Sequence, residues 1–76
     1  MELRVKMKDS GSVCTCLPGF ININLDGRFL VKYGGVEMMA EMCNFDIYIK
    51  PKEEWLDLVY AHTEGFLDPE QLRNWP

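Results

Sequence analysis

Asp26-Gly27 stands between two apolar-rich runs, Phe20-Ile21-Asn22-Ile23-Asn24-Leu25 and Arg28-Phe29-Leu30-Val31-Lys32-Tyr33. No other feature restricts the fold as strongly, because Asp-Gly in this setting is a strong hairpin signal. A two-residue loop at Asp26-Gly27 would set Asn24 opposite Phe29 and Ile23 opposite Leu30. Opposed residues share a sheet face, so both faces would come out mixed. A three-residue loop at Leu25-Asp26-Gly27, with Gly27 left-handed in a bulge, separates them. Ile21, Ile23, Phe29, Val31 and Tyr33 then share one face, and Asn22, Asn24, Arg28 and Lys32 the other. A slip of one residue exchanges the faces, so burial selects the bulged register. It leaves Phe20 and Leu30 as diagonal neighbours on the polar face. They are either scattered exposed hydrophobes or the start of a contact patch for a partner.

The same period of two recurs on both sides of this hairpin. Leu3, Val5 and Met7 alternate with Glu2, Arg4, Lys6 and Lys8, which predicts a half-buried strand. Turn residues at Asp9-Ser10-Gly11-Ser12 and a return over Val13 to Leu17 make residues 2–17 an N-terminal hairpin. Pro18-Gly19 breaks it, and Gly34-Gly35 marks a bend or bulge. Residues 36–43 read as strand or helix, with their length between breakers favouring strand. Phe45, Ile47 and Ile49 alternate with Asp46, Tyr48 and Lys50 as a further strand.

At Pro51 the period changes. Trp55, Leu58, Val59 and His62 fall at helical spacing, and Pro51, Glu53 and Glu54 suit a first turn. The expectation is one main helix over about 51–63, then a short C-terminal helix over about 69–74 capped by Asp68 with Gln71 three residues on. The fold class is α+β: an antiparallel sheet of consecutive hairpins packed on that main helix. The expected core is Leu3, Val5, Ile21, Ile23, Phe29, Val31, Phe45, Ile47, Ile49, Trp55, Leu58 and Val59, with Leu72 and Trp75 folding back onto it.

Size and charge then bear on function. A chain of 76 residues forms one domain with little room for an elaborate active site. The net charge of −4 is split: residues 1–32 carry five bases against three acids, and residues 33–76 carry three against nine. An acidic chain fits a basic protein partner better than nucleic acid, whose phosphates need a cationic surface. Arg4, Lys6, Lys8, Arg28 and Lys32 are the residues on which a nucleic-acid reading would rest. No stretch has the length or apolarity of a membrane span or leader. Three cysteines, an odd number, point to reduced thiols and a cytoplasmic setting.

Motifs for chemistry are sparse. Cys14, Cys16, Cys43 and His62 supply the donors of a zinc site, but Cys-x-Cys is one residue tighter than the usual zinc knuckle. Buried small-residue packing suits those cysteines better. His62 with Cys43 could make a base and nucleophile, but no motif orients them. There is no phosphate loop or nucleophile elbow. The sequence therefore points to a non-enzymatic acidic protein, without cofactor, that binds and modulates a protein partner. In size and charge it is like small inhibitors of the immunity or anti-defence type. The contact residues expected are Phe20, Leu30, Glu53, Glu54 and Asp57; the Met38, Met39 and Met42 run is more often core filler, with an adaptable contact surface as its alternative. A zinc-binding domain or a small enzyme are the alternatives.

Overall fold

The computed structural model describes residues 1–21 and 27–76. Six antiparallel strands among them form one sheet: β1 (Leu3–Met7), β2 (Val13–Cys16), β3 (Arg28–Tyr33), β4 (Val36–Glu41), β5 (Phe45–Ile49) and β6 (Glu54–Asp57). Their order across the sheet is β4-β3-β2-β1-β5-β6. Two short helices follow, α1 (Leu58–Thr63) and α2 (Pro69–Arg73). The α+β class is as the periodicities indicate.

The N-terminal hairpin forms as expected, with Leu3 opposite Cys16 and Val5 opposite Cys14. That register turns Leu3, Val5, Cys14 and Cys16 inward, where all four are buried. Arg4, Lys6 and Thr15 turn outward. β5 pairs with the other flank of β1 and places Phe45, Ile47 and Ile49 in the same core. Full burial of such a side chain contributes about 1.5–3 kcal/mol relative to exposure.

A flat sheet cannot carry this order. β4 and β5 are four places apart, about 19 Å at the usual strand spacing. The chain covers the distance from Glu41 to Phe45 through a 3-10 turn at Met42–Asn44, and four steps reach at most about 14 Å. The sheet must curl, carrying β3 and β4 over β1 and β5. Phe29 on β3 and Phe45 on β5 accordingly meet edge to face inside, ring centroids 5.2 Å apart. The connection is pinned at both ends: the Met42 N–H donates to the Gly27 carbonyl, and the Lys8 N–H to that of Asn44. Leu58, Ala61 and Leu67 complete the core, with Leu72 and Trp75 packed against it.

Three expectations need correction. The main helix over 51–63 does not form. Pro51 lies in a 3-10 turn over Lys50–Lys52 that ends at Glu53 in the left-handed region (φ 53°, ψ 42°). Glu54–Asp57 then pair as β6 with β5, and α1 begins only at Leu58. Pairing with β5 gives the backbone of that strand its second set of partners, which local helical spacing does not weigh. As a result Trp55 is half-buried on the outer face, Val59 is exposed, and Ala61 is fully buried. Second, Phe20 is not in a strand but closes a 3-10 turn over Pro18–Phe20. The Leu25-Asp26-Gly27 loop and the pairings of Asn22, Ile23 and Asn24 lie outside the described residues. Gly27 does have a positive φ of 74°, and Phe29 and Val31 are buried as expected. Third, Asp68 precedes α2 as expected, but its side chain makes no capping bond.

Candidate protein-docking edge

β4 is the strand 36–43 was expected to favour, and it lies at one edge of the sheet. The hairpin joining it to β3 turns on Gly34 and Gly35, with φ of 59° and 83°. Two successive positive φ values are the two-residue loop geometry that matches strand twist, and glycine adopts them without a Cβ penalty. Tyr33 then opposes Val36, Val31 opposes Met38, and Phe29 opposes Ala40.

In a hairpin with a two-residue loop the residues flanking the loop exchange backbone hydrogen bonds, and every second pair does so thereafter. Val36, Met38 and Ala40 thus direct their N–H and C=O groups to β3. The Met42 N–H bond to Gly27 falls in the same alternation. The backbone groups of Glu37, Met39 and Glu41 point the other way, to a side where no described strand pairs with β4. Val36, Met38 and Met39 are 60%, 37% and 48% exposed. A six-residue edge bearing exposed apolar side chains is a template for another strand. Beside its C-terminal half is an open cleft of about 590 Å³ whose walls include Met7, Lys8, Arg28, Met39 and Phe45.

The expected contact residues are scattered. Phe20 and Leu30 do come together, half-buried, in a depression of about 70 Å³ shared with Leu17 and Thr15. Glu53 and Glu54 are exposed but stand on a turn and a strand start rather than on a helix. Asp57 is engaged. It pairs with Lys8 and accepts a hydrogen bond from the Tyr60 N–H at 2.9 Å. The Lys8 hydrogen bond, with the Tyr60 N–H second, holds its carboxyl below the ordinary range. Lys8 is correspondingly raised, chiefly by its hydrogen bond to Asp57. Of the methionines, Met42 is buried and Met38 and Met39 are exposed.

The outer sheet face gathers the five bases named above. Arg4 lies over the Tyr48 ring at 4.3 Å and Lys6 over Trp55 at 4.4 Å. Lys8 reaches Asp57, and Asp46 at 3.8 Å. Glu37 and Glu41 stand opposite Lys32 and Arg28, so acids accompany the bases across this face. Cys14 and Cys16 are core residues, and burial pushes the Cys16 thiol up to about 12. Cys43 is exposed on the turn after β4. Among the described residues no three His, Cys, Asp or Glu side chains gather as metal ligands, so the Cys14, Cys16, Cys43 and His62 set does not form. No helix among them is long and apolar enough to cross a membrane.

Met38 and Met39 stand out in the sequence, but the edge that presents them does not. The signal was the failure of Val36-Glu37-Met38-Met39-Ala40-Glu41 to alternate cleanly, which suits a strand not covered on either face. Comparison of the chain with protein-family models, with curated proteins and with solved structures finds no match in any of the three.

Proposed function

We propose that the chain is a non-enzymatic protein-binding module that takes an extended segment of a protein partner onto the edge of β4 as a seventh strand, blocking or modulating that partner. The observation that carries this is the outward-facing backbone of Glu37, Met39 and Glu41, flanked by exposed Val36, Met38 and Met39. Strand addition obtains affinity from main-chain hydrogen bonds, each worth about 0.5–1.5 kcal/mol net, and specificity from alternate side chains. It needs no catalytic group. The free thiols of Cys14, Cys16 and Cys43 fit a reducing, cytoplasmic setting.

The test uses three nonapeptides of alternating strand pattern: Thr-Val-Lys-Ile-Thr-Val-Lys-Val-Thr, and the same peptide with both lysines replaced by glutamate or by threonine. Amide exchange in the protein is followed by NMR. At least one peptide is expected to slow exchange at Glu37, Met39 and Glu41. Met39→Pro removes an outward N–H that the β3–β4 ladder does not use, so proline is tolerable there and binding should be lost. Peptides N-methylated on alternate amides provide the same test without altering the protein: methylation on one side abolishes binding, on the other leaves it. If no peptide protects these amides at millimolar concentration, or if methylation on both sides is harmless, the reading is wrong.

The outer face supports a second reading less well. Arg4, Lys6, Lys8, Arg28 and Lys32 with Tyr48 and Trp55 resemble a platform for single strands. Arg4 and Lys6 lie over aromatic rings and Lys8 reaches Asp57 and Asp46, which leaves little uncompensated positive charge along β1 for phosphates. Binding of labelled oligothymidylate that falls steeply with salt would favour it.

A further inference from the structure

We infer that the segment added to β4 is a basic strand, with Lys or Arg at two positions four residues apart, an intervening uncharged residue, and apolar residues between these positions. This rests on the docking reading above. The residues whose backbone faces outward are Glu37, Met39 and Glu41, and these set the pairs an incoming strand makes. Their side chains lie on the outer face, so the incoming residues opposite them lie there too. Two of the three are acids, and β4 carries no base. Lys32 and Arg28 of β3 stand on one flank of these carboxylates, and the other flank is open to the new strand. Opposite charges directly across a ladder attract and like charges repel. On the inner face Val36 and Met38 are exposed, and apolar residues of the incoming strand would cover them.

The same residues disfavour a second copy of this chain as the occupant. Two β4 edges can pair antiparallel about a two-fold axis only with outward-facing residues opposed. The register that pairs all three outward-facing residues centres Met39 on Met39 and sets Glu37 opposite Glu41 twice, whereas one centred on Met38 pairs only two. Two acid–acid oppositions penalise that dimer, as charged edge residues do elsewhere. A basic strand replaces both with attractive pairs in a single register. Reversing the strand leaves a pattern of two bases four apart unchanged, so the chemistry holds for either chain direction.

The experiment measures the affinities of the lysine, glutamate and threonine nonapeptides for the whole chain, in low and high salt. The wild type is expected to bind the lysine peptide about tenfold or more tighter than the glutamate peptide at low salt, from two opposed pairs changing sign. The difference should narrow at 0.5 M salt. The double variant Glu37→Lys, Glu41→Lys should reverse the order. If the three peptides protect the β4 amides equally, the charge inference falls and the docking reading stands. If none binds, both fall. Sedimentation should show the wild type as a monomer. A dimer dissociated by Met39→Pro would overturn the inference and make a second copy the occupant.

Discussion

Asp57 has two jobs at the junction of β6 and α1, and substitutions can separate them. Its carboxylate accepts the Tyr60 N–H at 2.9 Å, the N-cap bond of a helix only six residues long. It also pairs with Lys8, with both side chains about two-fifths exposed. An N-cap replaced by alanine costs about 1 kcal/mol, within a range of about 0.5–2. An ion pair this open to water adds little more. Asp57→Ala should therefore destabilise by about 1 kcal/mol, which lowers the Tm of so small a domain by about 4–8 °C. Asp57→Asn keeps an oxygen for the Tyr60 N–H and should lose much less. The pH dependence follows from the shift directions. The Asp57 carboxyl is held below its ordinary value of 3.8, so its contribution is present above that pH and is lost as pH falls through the lowered value. Lys8 is raised above 10.5, so its contribution is full below that pH and is lost as pH rises through the raised value. Thermal melts of the wild type, D57A and D57N at pH 2.5, 7 and 11 check all three statements. Equal losses in D57A and D57N at pH 7 would refute the capping argument. A D57N-to-wild-type difference that persists unchanged at pH 2.5 would refute the charge argument.

Two further outcomes follow from the core. Phe29→Ala removes a fully buried ring and its contact with Phe45, at a cost of about 3–5 kcal/mol against a total stability of about 4–11 kcal/mol for this length; circular dichroism should show a Tm loss beyond 15 °C, and a loss under 5 °C would contradict the curled sheet. Iodoacetamide at pH 8 should add once to the native protein, at exposed Cys43, because Cys14 and Cys16 are buried and the Cys16 thiol is pushed up to about 12; three adducts should follow in denaturant, and mass spectrometry showing more than one adduct before unfolding would contradict the assignment.

The reading of residues 51–63 shows how local pattern and sheet assembly compete. Trp55, Leu58, Val59 and His62 satisfy helical spacing, yet Glu54-Trp55-Leu56-Asp57 is short enough to pair as a strand instead. β5 needed hydrogen-bond partners on its second edge, and these four residues provide them. Asp57, an N-cap residue type three places before Tyr60, was the better start signal, but Pro51 drew the helix seven residues too early. By contrast the N-terminal hairpin was readable throughout, because Leu3, Val5 and Met7 alternate with charges and no second period fits them.

The position of β4 at the edge left one trace in its own residues, their failure to alternate cleanly, which does not by itself say which side is unpaired. The position follows from β5 returning to the far flank of β1, which depends on the curl that lets Met42–Asn44 span the gap. Strand propensity could say that 36–41 is extended; only the long-range order says that one side of it is unpaired. Once that order is known, the composition of the segment takes on a meaning. A central strand of a curled sheet alternates as Phe45-Asp46-Ile47-Tyr48-Ile49 does, with one face wholly apolar. Val36-Glu37-Met38-Met39-Ala40-Glu41 has apolar residues on both faces and acids only where its backbone points outward. Under the proposed docking that pattern would favour a basic partner strand, so the residues that looked least decisive in the sequence define the surface on which the proposed function depends.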